Sequence, residues 1–471
     1  MNGLDTSSLI IIGLYLVGMI LIGLYFQKKV NVSEDYFLAG RTLNSFIIMA
    51  TVSASIIGGG ALIGRGGVIY SQGVVAIWIA VPYLIGMYFF SMISGRIQEI
   101  GTKYNIGSIP DLMEFRFGKA AKFITAILVS FTMMATVGTQ ITATATIIKS
   151  IGGFSYELGA WIAVLVFVSY TVFSGLFGVV YTDVAQFIIL ILFIYILLPI
   201  ICLTKIGGIN NLVQALPKEM LSFKPSPEII GWIFTNLIFT IAGAEMWQRA
   251  FAARSPKEAC KGMFLGNTVY GLTIIVTLII GLSAYILLPN LFSEYGSADI
   301  AIPALVIRIL PKGIAGLSLA AILSVLMSSS DTYLLVSVQS VVRDILKPLF
   351  PSINGKQELL FSRIATILLG FGALLIALYI RQVYAALMFA WSFYASSLGI
   401  PAFAALYWEK ATSQGIIASI LMGFFVSLSW KFIGSPYGLG PTIPGSICCA
   451  LTLVIVSLRT YRKKITPFFQ I

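Results

Sequence analysis

Residues 52–72 read Val-Ser-Ala-Ser-Ile-Ile-Gly-Gly-Gly-Ala-Leu-Ile-Gly-Arg-Gly-Gly-Val-Ile-Tyr-Ser-Gln. The run is apolar enough to lie in a bilayer, yet it carries Gly58, Gly59 and Gly60 in succession and then Arg65. Each glycine costs about 1 kcal/mol against alanine inside a helix. Three together predict a helix that opens. Open backbone at membrane depth survives only where it lines a cavity or is buried in protein. Paired helix breaks near the midplane are the arrangement in which backbone groups hold ions and solutes.

The rest of the chain supplies the setting. Its 471 residues are 58% hydrophobic and 10% charged, against roughly 25% charged in a soluble domain. This is an all-α, polytopic membrane protein, read as a single transmembrane unit over 1–471. No histidine is present, which removes imidazole proton relays, His-ligated zinc and Ser-His-Asp chemistry. An enzyme is therefore not expected. The four cysteines show no C-x-x-C spacing and read as apolar filling.

Thirteen apolar runs can cross ~30 Å of hydrocarbon: 7–27, 43–72, 74–95, 119–149, 157–178, 181–203, 229–251, 262–288, 313–342, 359–380, 382–407, 412–431 and 442–461. With the N-terminus outside, 21 of the 30 Lys and Arg fall on the inner side, Arg249, Lys463 and Lys464 among them, and eight on the outer side. That bias fits the positive-inside rule and places the C-terminus in the cytoplasm. It also accounts for the +12 net charge without nucleic acid. The expected location is the plasma (inner) membrane. The lipid bilayer and a small organic solute are the expected partners, with no obligatory protein partner evident.

A second interrupted span reads Phe239-Thr-Ile-Ala-Gly-Ala-Glu245-Met-Trp247-Gln248-Arg249. It lies five spans after the first. Paired interruptions point to an inverted repeat with a site between the halves. The expected halves are 43–203 and 229–407, with 7–27 and 412–461 accessory.

Val325-Leu-Met-Ser328-Ser329-Ser330-Asp331-Thr332 presents hydroxyls and a carboxylate along one helical face, since positions three and four apart are neighbours. Such oxygens suit hard cations. Asp183 reads either as an interfacial N-cap or as a cavity-facing acid. Arg65 and Glu245 are the other intramembrane charges. They can pair with each other, contact solute or snorkel, and pairing is the reading carried forward.

Three motifs together resemble the sodium:solute symporter family: Ser174-Gly175-Leu176 through Thr182-Asp183-Val-Ala-Gln186, the loop Asp35-Tyr36-Phe37-Leu38-Ala39-Gly40-Arg41, and the serine run followed by Leu334-Leu335 and Arg343-Asp344. The resemblance covers nearly the whole chain. It implies the leucine-transporter-type fold, with five plus five core helices, and symport driven by the sodium ion. It also implies a sodium site made by the carbonyls of Ala54, Ile57 and Val325 with the hydroxyls of Ser328 and Ser329. Some members have a second cation site, and the matching positions are Asp183, Asp331 and Thr332. Asp331 stands where many members have serine, so one of two carboxylates can stay protonated instead.

Asp331, the triple glycine and Trp247-Gln248 look most like the choline-transporter-like branch. Its aromatic cage is missing, with Ile56 and Ala135 at two of the matching positions. The expected solute pocket is Ile56, Gly59, Gly60, Met134, Glu245, Trp247, Trp391 and Tyr394. The alternatives are uptake of a choline-like cationic amine, proton-coupled transport, and a membrane solute sensor.

Overall fold

Proline, glycine and capping residues divide the apolar runs into helices. The computed structural model describes residues 6–30, 32–381 and 383–462, so Lys463 and Lys464 of the charge tally lie outside the described residues. Helices start where a side chain satisfies the first free N–H groups. Asn44, Ser108, Ser226, Ser255 and Thr412 each accept from the amide three residues on.

Among the described residues, eleven continuous helical stretches are long and apolar enough to cross a membrane. Two are too long for one crossing. Gly60–Lys103 has 44 residues and Tyr156–Ile206 has 51, about 66 and 77 Å at 1.5 Å per residue. The first turns at Gly73 (φ 76°) and the second at Gly175 (φ 52°). A side chain at Gly175 would be strained by this φ, and its Cβ would lie 2.6 Å from the Tyr36 ring and carbonyl oxygen. Ser45–Ile56 then joins Gly60–Gln72 as one interrupted crossing. Divided in this way, the eleven stretches give the thirteen segments read from the sequence.

The serine-bearing helix, Ile314–Gln339, is the core of the bundle. Its stretch is 94% buried, against 11% for Thr6–Lys29 at the edge. It packs on Lys119–Gly152, Tyr156–Leu190, Thr6–Phe26 and Ser45–Ile56. Ser413–Phe432 and Thr442–Thr460 form a hairpin against Val383–Tyr407.

The two interrupted helices are joined at one end of the bundle. Leu43 donates to the Ala252 carbonyl (3.1 Å), and Arg254 donates back to Leu43 (3.0 Å). Arg41, from the motif loop, donates to the carbonyls of Phe251 (3.2 Å) and Ile106 (3.0 Å). Nearby, Lys122 bridges Asp111 (3.0 Å) and Glu114 (2.7 Å).

At the other end, Ala298–Ile300 lies over the first interrupted helix. The Asp299 carboxylate sits 2.8 Å from where a Gly67 Cβ would stand, and it accepts from the Val383 amide. Burial pushes its pKa up to about 6 from 3.8, and the Val383 bond only partly opposes this. The folded form therefore binds this proton more tightly than the unfolded chain. Stability is greatest below pH ~4 and declines as pH rises toward 6. The thermal midpoint should fall by a few degrees between pH 4.5 and 7, and Asp299→Asn should flatten that slope. An unchanged slope in the variant would show that Asp299 is not the group responsible.

Candidate functional site

The first interruption is shaped by close packing. The helix Ser45–Ile56 ends, Ile57 and Gly58 interrupt it, and from Gly59 the backbone is helical again, with a widened turn at Gly60–Gly64. A Cβ on Gly58 would lie 2.2 Å from Ser329 Oγ, and one on Gly59 would lie 2.6 Å from Gln140 Oε1. The glycines thus let the opened backbone lie directly against the serine-bearing helix. Ser329 Oγ donates to the Ser55 carbonyl (2.9 Å), and the Gly59 amide donates to Gln140 (2.8 Å). Gly58→Ala should cost about 1–3 kcal/mol through this overpacking. Ser329→Gly in the same chain should recover part of the lost thermal stability. Wild-type stability in Gly58→Ala alone would refute the close approach.

The second interruption, at Gly243 between Pro227–Ala242 and Ala244–Ala252, is closed by side chains. Trp247 Nε1 donates to the Ile241 carbonyl (2.9 Å) and the Tyr394 hydroxyl to that of Ala242 (2.7 Å).

Ala54, Ile57, Val325, Ser328 and Ser329 are all buried; they belong to the first interrupted helix and the serine-bearing helix, which pack against each other. Ser328 donates to Asp183 Oδ1 (2.5 Å), and Thr51 donates to the other oxygen. Asp183 lies well inside the helix that follows Gly175 and is fully buried, so it is not an interfacial cap; its oxygens face Ser328, Thr51 and Arg249.

The position expected for a second cation holds a guanidinium. Arg249 Nε donates to Thr51 (3.1 Å), and Nη2 donates to Ser55 (2.8 Å) and Thr332 (2.5 Å). Nη1 reaches the Glu245 carbonyl (3.2 Å), and Asp183 lies 3.7 Å away. The sequence reading placed Arg249 among the loop cations. The structure corrects this, because its side chain is fully buried. Asp331 turns to another wall, accepting from Tyr170 and from Thr171 (2.9 Å). Thus Asp183 and Thr332 meet around Arg249, while Asp331 does not share that hydrogen-bonded cluster among the described residues.

A cavity lies beside this cluster; its open volume is about 40 Å³, room for a few water molecules and below the usual size of small-molecule sites. Of the residues expected at a solute pocket, Ile56, Gly60 and Trp391 line this cavity, and Gly59 reaches its wall through Gln140. Four expected lining residues lie elsewhere. Trp247 and Tyr394 are turned to the carbonyls at the second break. Met134 packs at Gly372. Glu245 lies behind the wall near Gly243. The wall instead includes Arg65, Tyr83, Asn236, Tyr270 and Tyr384. The expected Arg65–Glu245 pair is not formed among the described residues. Arg65 Nη1 donates to the Tyr270 hydroxyl (2.9 Å). Only Arg65 of these carried a sequence signal, as a charge in an apolar run; Tyr270, Tyr384 and Asn236 are brought in by tertiary packing.

Two interrupted helices around a buried hydroxyl and carboxylate cluster define a secondary transporter of the leucine-transporter type. Solved structures share this fold. A Na+-coupled sialic acid symporter in a substrate-bound outward-open state superposes with a TM-score of 0.84 at 18% identity, covering 98% of this chain and all of that one. A nucleobase-cation-symport-1 family transporter gives 0.60 at 16% identity, over 92% and 96% of the two chains. Residues 36–423 match the model of the sodium:solute symporter family, and the chain belongs to that family. It is similar to the sodium/proline symporter of Haemophilus influenzae (28% identity, 97% of this chain and 95% of the relative). It is also similar to the osmoregulated proline transporter of Bacillus subtilis (25%, 98% and 96%). The chain is a sodium-coupled symporter and a multi-pass membrane protein.

Proposed function

We propose that the protein couples inward sodium flow to uptake of a small organic solute by alternating access. Sodium would lie between the two facing helices, held by the carbonyls of Ala54, Ile57 and Val325 and the hydroxyls of Ser328 and Ser329. The observation that carries this is the Gly58–Ser329 approach, which brings opened backbone and hydroxyl oxygens to one buried point. Bound sodium joins the two helices and favours the state open to the outside. Solute closes the outer side, the bundle of helices rocks, and the ion leaves inward. With Arg249 supplying positive charge beside Asp183 and Thr332, a single sodium accompanies each solute. Residues 43–203 and 229–407 act as the two repeats, with the N-terminus outside and the C-terminus in the cytoplasm.

The relatives' names put amino acids ahead of choline-like amines as solutes. The test is uptake by proteoliposomes from a pooled panel of radiolabelled solutes, with and without an inward sodium gradient. Gradient-driven accumulation of a panel member is expected, with about one sodium per solute. Accumulation that follows a proton gradient and ignores sodium would overturn the reading.

A further inference from the structure

Arg65 is 2% exposed. Its Nη1 meets a neutral tyrosine hydroxyl, and its guanidinium carbon lies 5.5 Å from the centre of that Tyr270 ring. Nε and Nη2 are buried and have no hydrogen-bond partner. Among the described residues no carboxylate forms an ion pair with Arg65. A buried cation with two free donors is costly unless an anion completes it.

Among the described residues, the wall of the cavity that Arg65 lines contains no Asp or Glu. Glu245, the acid that would favour a cationic solute, is outside it. Nε and one Nη of a guanidinium form a planar fork that matches the two oxygens of a carboxylate. The same cavity is lined by Asn236 and by Tyr270, whose hydroxyl meets Nη1, with Ile56, Leu387, Met388 and Trp391 among its apolar residues. We infer that the transported solute carries a carboxylate, that Arg65 binds it through Nε and Nη2, and that the solute's small apolar body lies against Trp391 and Ile56.

This rests on the symporter reading above, so the experiment reads sodium and solute separately. Full-length protein in detergent is heated with sodium alone, and then with sodium plus each probe. The probes are proline, propionate, the matched amides prolinamide and propionamide, and choline. Proline or propionate should raise the melting temperature and both amides should not. Propionate alone would identify a plain carboxylate as the solute, and proline alone a zwitterionic amino acid.

Arg65→Gln should weaken the effective carboxylate at least 100-fold, and Arg65→Lys less. Arg65→Gln should also keep the shift produced by sodium and melt no lower than wild type, because it removes a buried charge without a partner. Stabilisation by amides or choline as strong as by carboxylates would overturn the inference. So would a lack of response to every probe in a protein that still responds to sodium, or an Arg65→Gln protein that melts several degrees lower. Loss of the sodium response in wild type would instead count against the symporter reading itself.

Discussion

Arg249→Met is expected to reduce sodium-driven uptake at least tenfold and to lower the melting temperature by several degrees. The guanidinium is fully buried and bonds to Thr51, Ser55 and Thr332, beside Asp183. Removing it leaves Asp183 as a buried charge without its cation, which costs about 3–5 kcal/mol. Asp183→Asn in the same chain removes that charge and should restore a substantial part of the stability. The double-mutant cycle measures the coupling directly. Additive losses would show that Arg249 does not neutralise Asp183. In Arg249→Met alone, Asp183 becomes available to a free cation, so sodium should stabilise this variant with a steeper concentration dependence than wild type.

The second large effect concerns sodium affinity. Ser328→Ala with Ser329→Ala removes two hydroxyl oxygens from the proposed ion position. At about 1.5 kcal/mol for each contact to a charge, the half-saturating sodium concentration should rise roughly 100-fold. Solute affinity at saturating sodium should change far less. The measurement is uptake against sodium concentration, and an unchanged midpoint would remove both serines from the site. Because Ser328 also donates to Asp183 and Ser329 to the Ser55 carbonyl, the melting temperature in sodium-free buffer separates lost packing from lost ion binding.

Much of the architecture was legible because its signals are local. Runs of apolar residues mark crossings, and glycine clusters mark where those crossings open. Ser328 and Thr332, one turn apart, do lie toward Asp183 and Arg249, whereas Asp331, on the same expected face, turns to Tyr170 and Thr171. The candidate solute cavity was less legible, because its walls come from segments far apart in sequence. Trp247 sits next to the second break and reads as a pocket aromatic, yet its indole N–H is needed by the Ile241 carbonyl. Arg249 lies near a run of loop cations, and its burial depends on Thr51 and Thr332, about 198 and 83 residues away. Arg65 and Glu245 occupy related places in the two interrupted helices, which suggested that they meet. A helix rotates about 100° per residue, so related places in two segments do not guarantee facing side chains.

The two interruptions differ in the chemistry that closes them. An indole N–H is a donor only. Trp247 can satisfy the carbonyl of Ile241 and has no lone pair to offer an ion in exchange. A serine hydroxyl is both donor and acceptor. Ser329 can stop donating to Ser55, rotate about its own Cα–Cβ bond, and present its oxygen to a cation. One break is therefore closed by a donor with nothing to offer an ion, and the other by a hydroxyl that the proposed sodium site would recruit. Conformational response to the ion should be concentrated in one half of a pseudo-symmetric fold. Hydrogen exchange at Ser55–Gly60 should slow on adding sodium, while exchange at Ile241–Glu245 should remain the same.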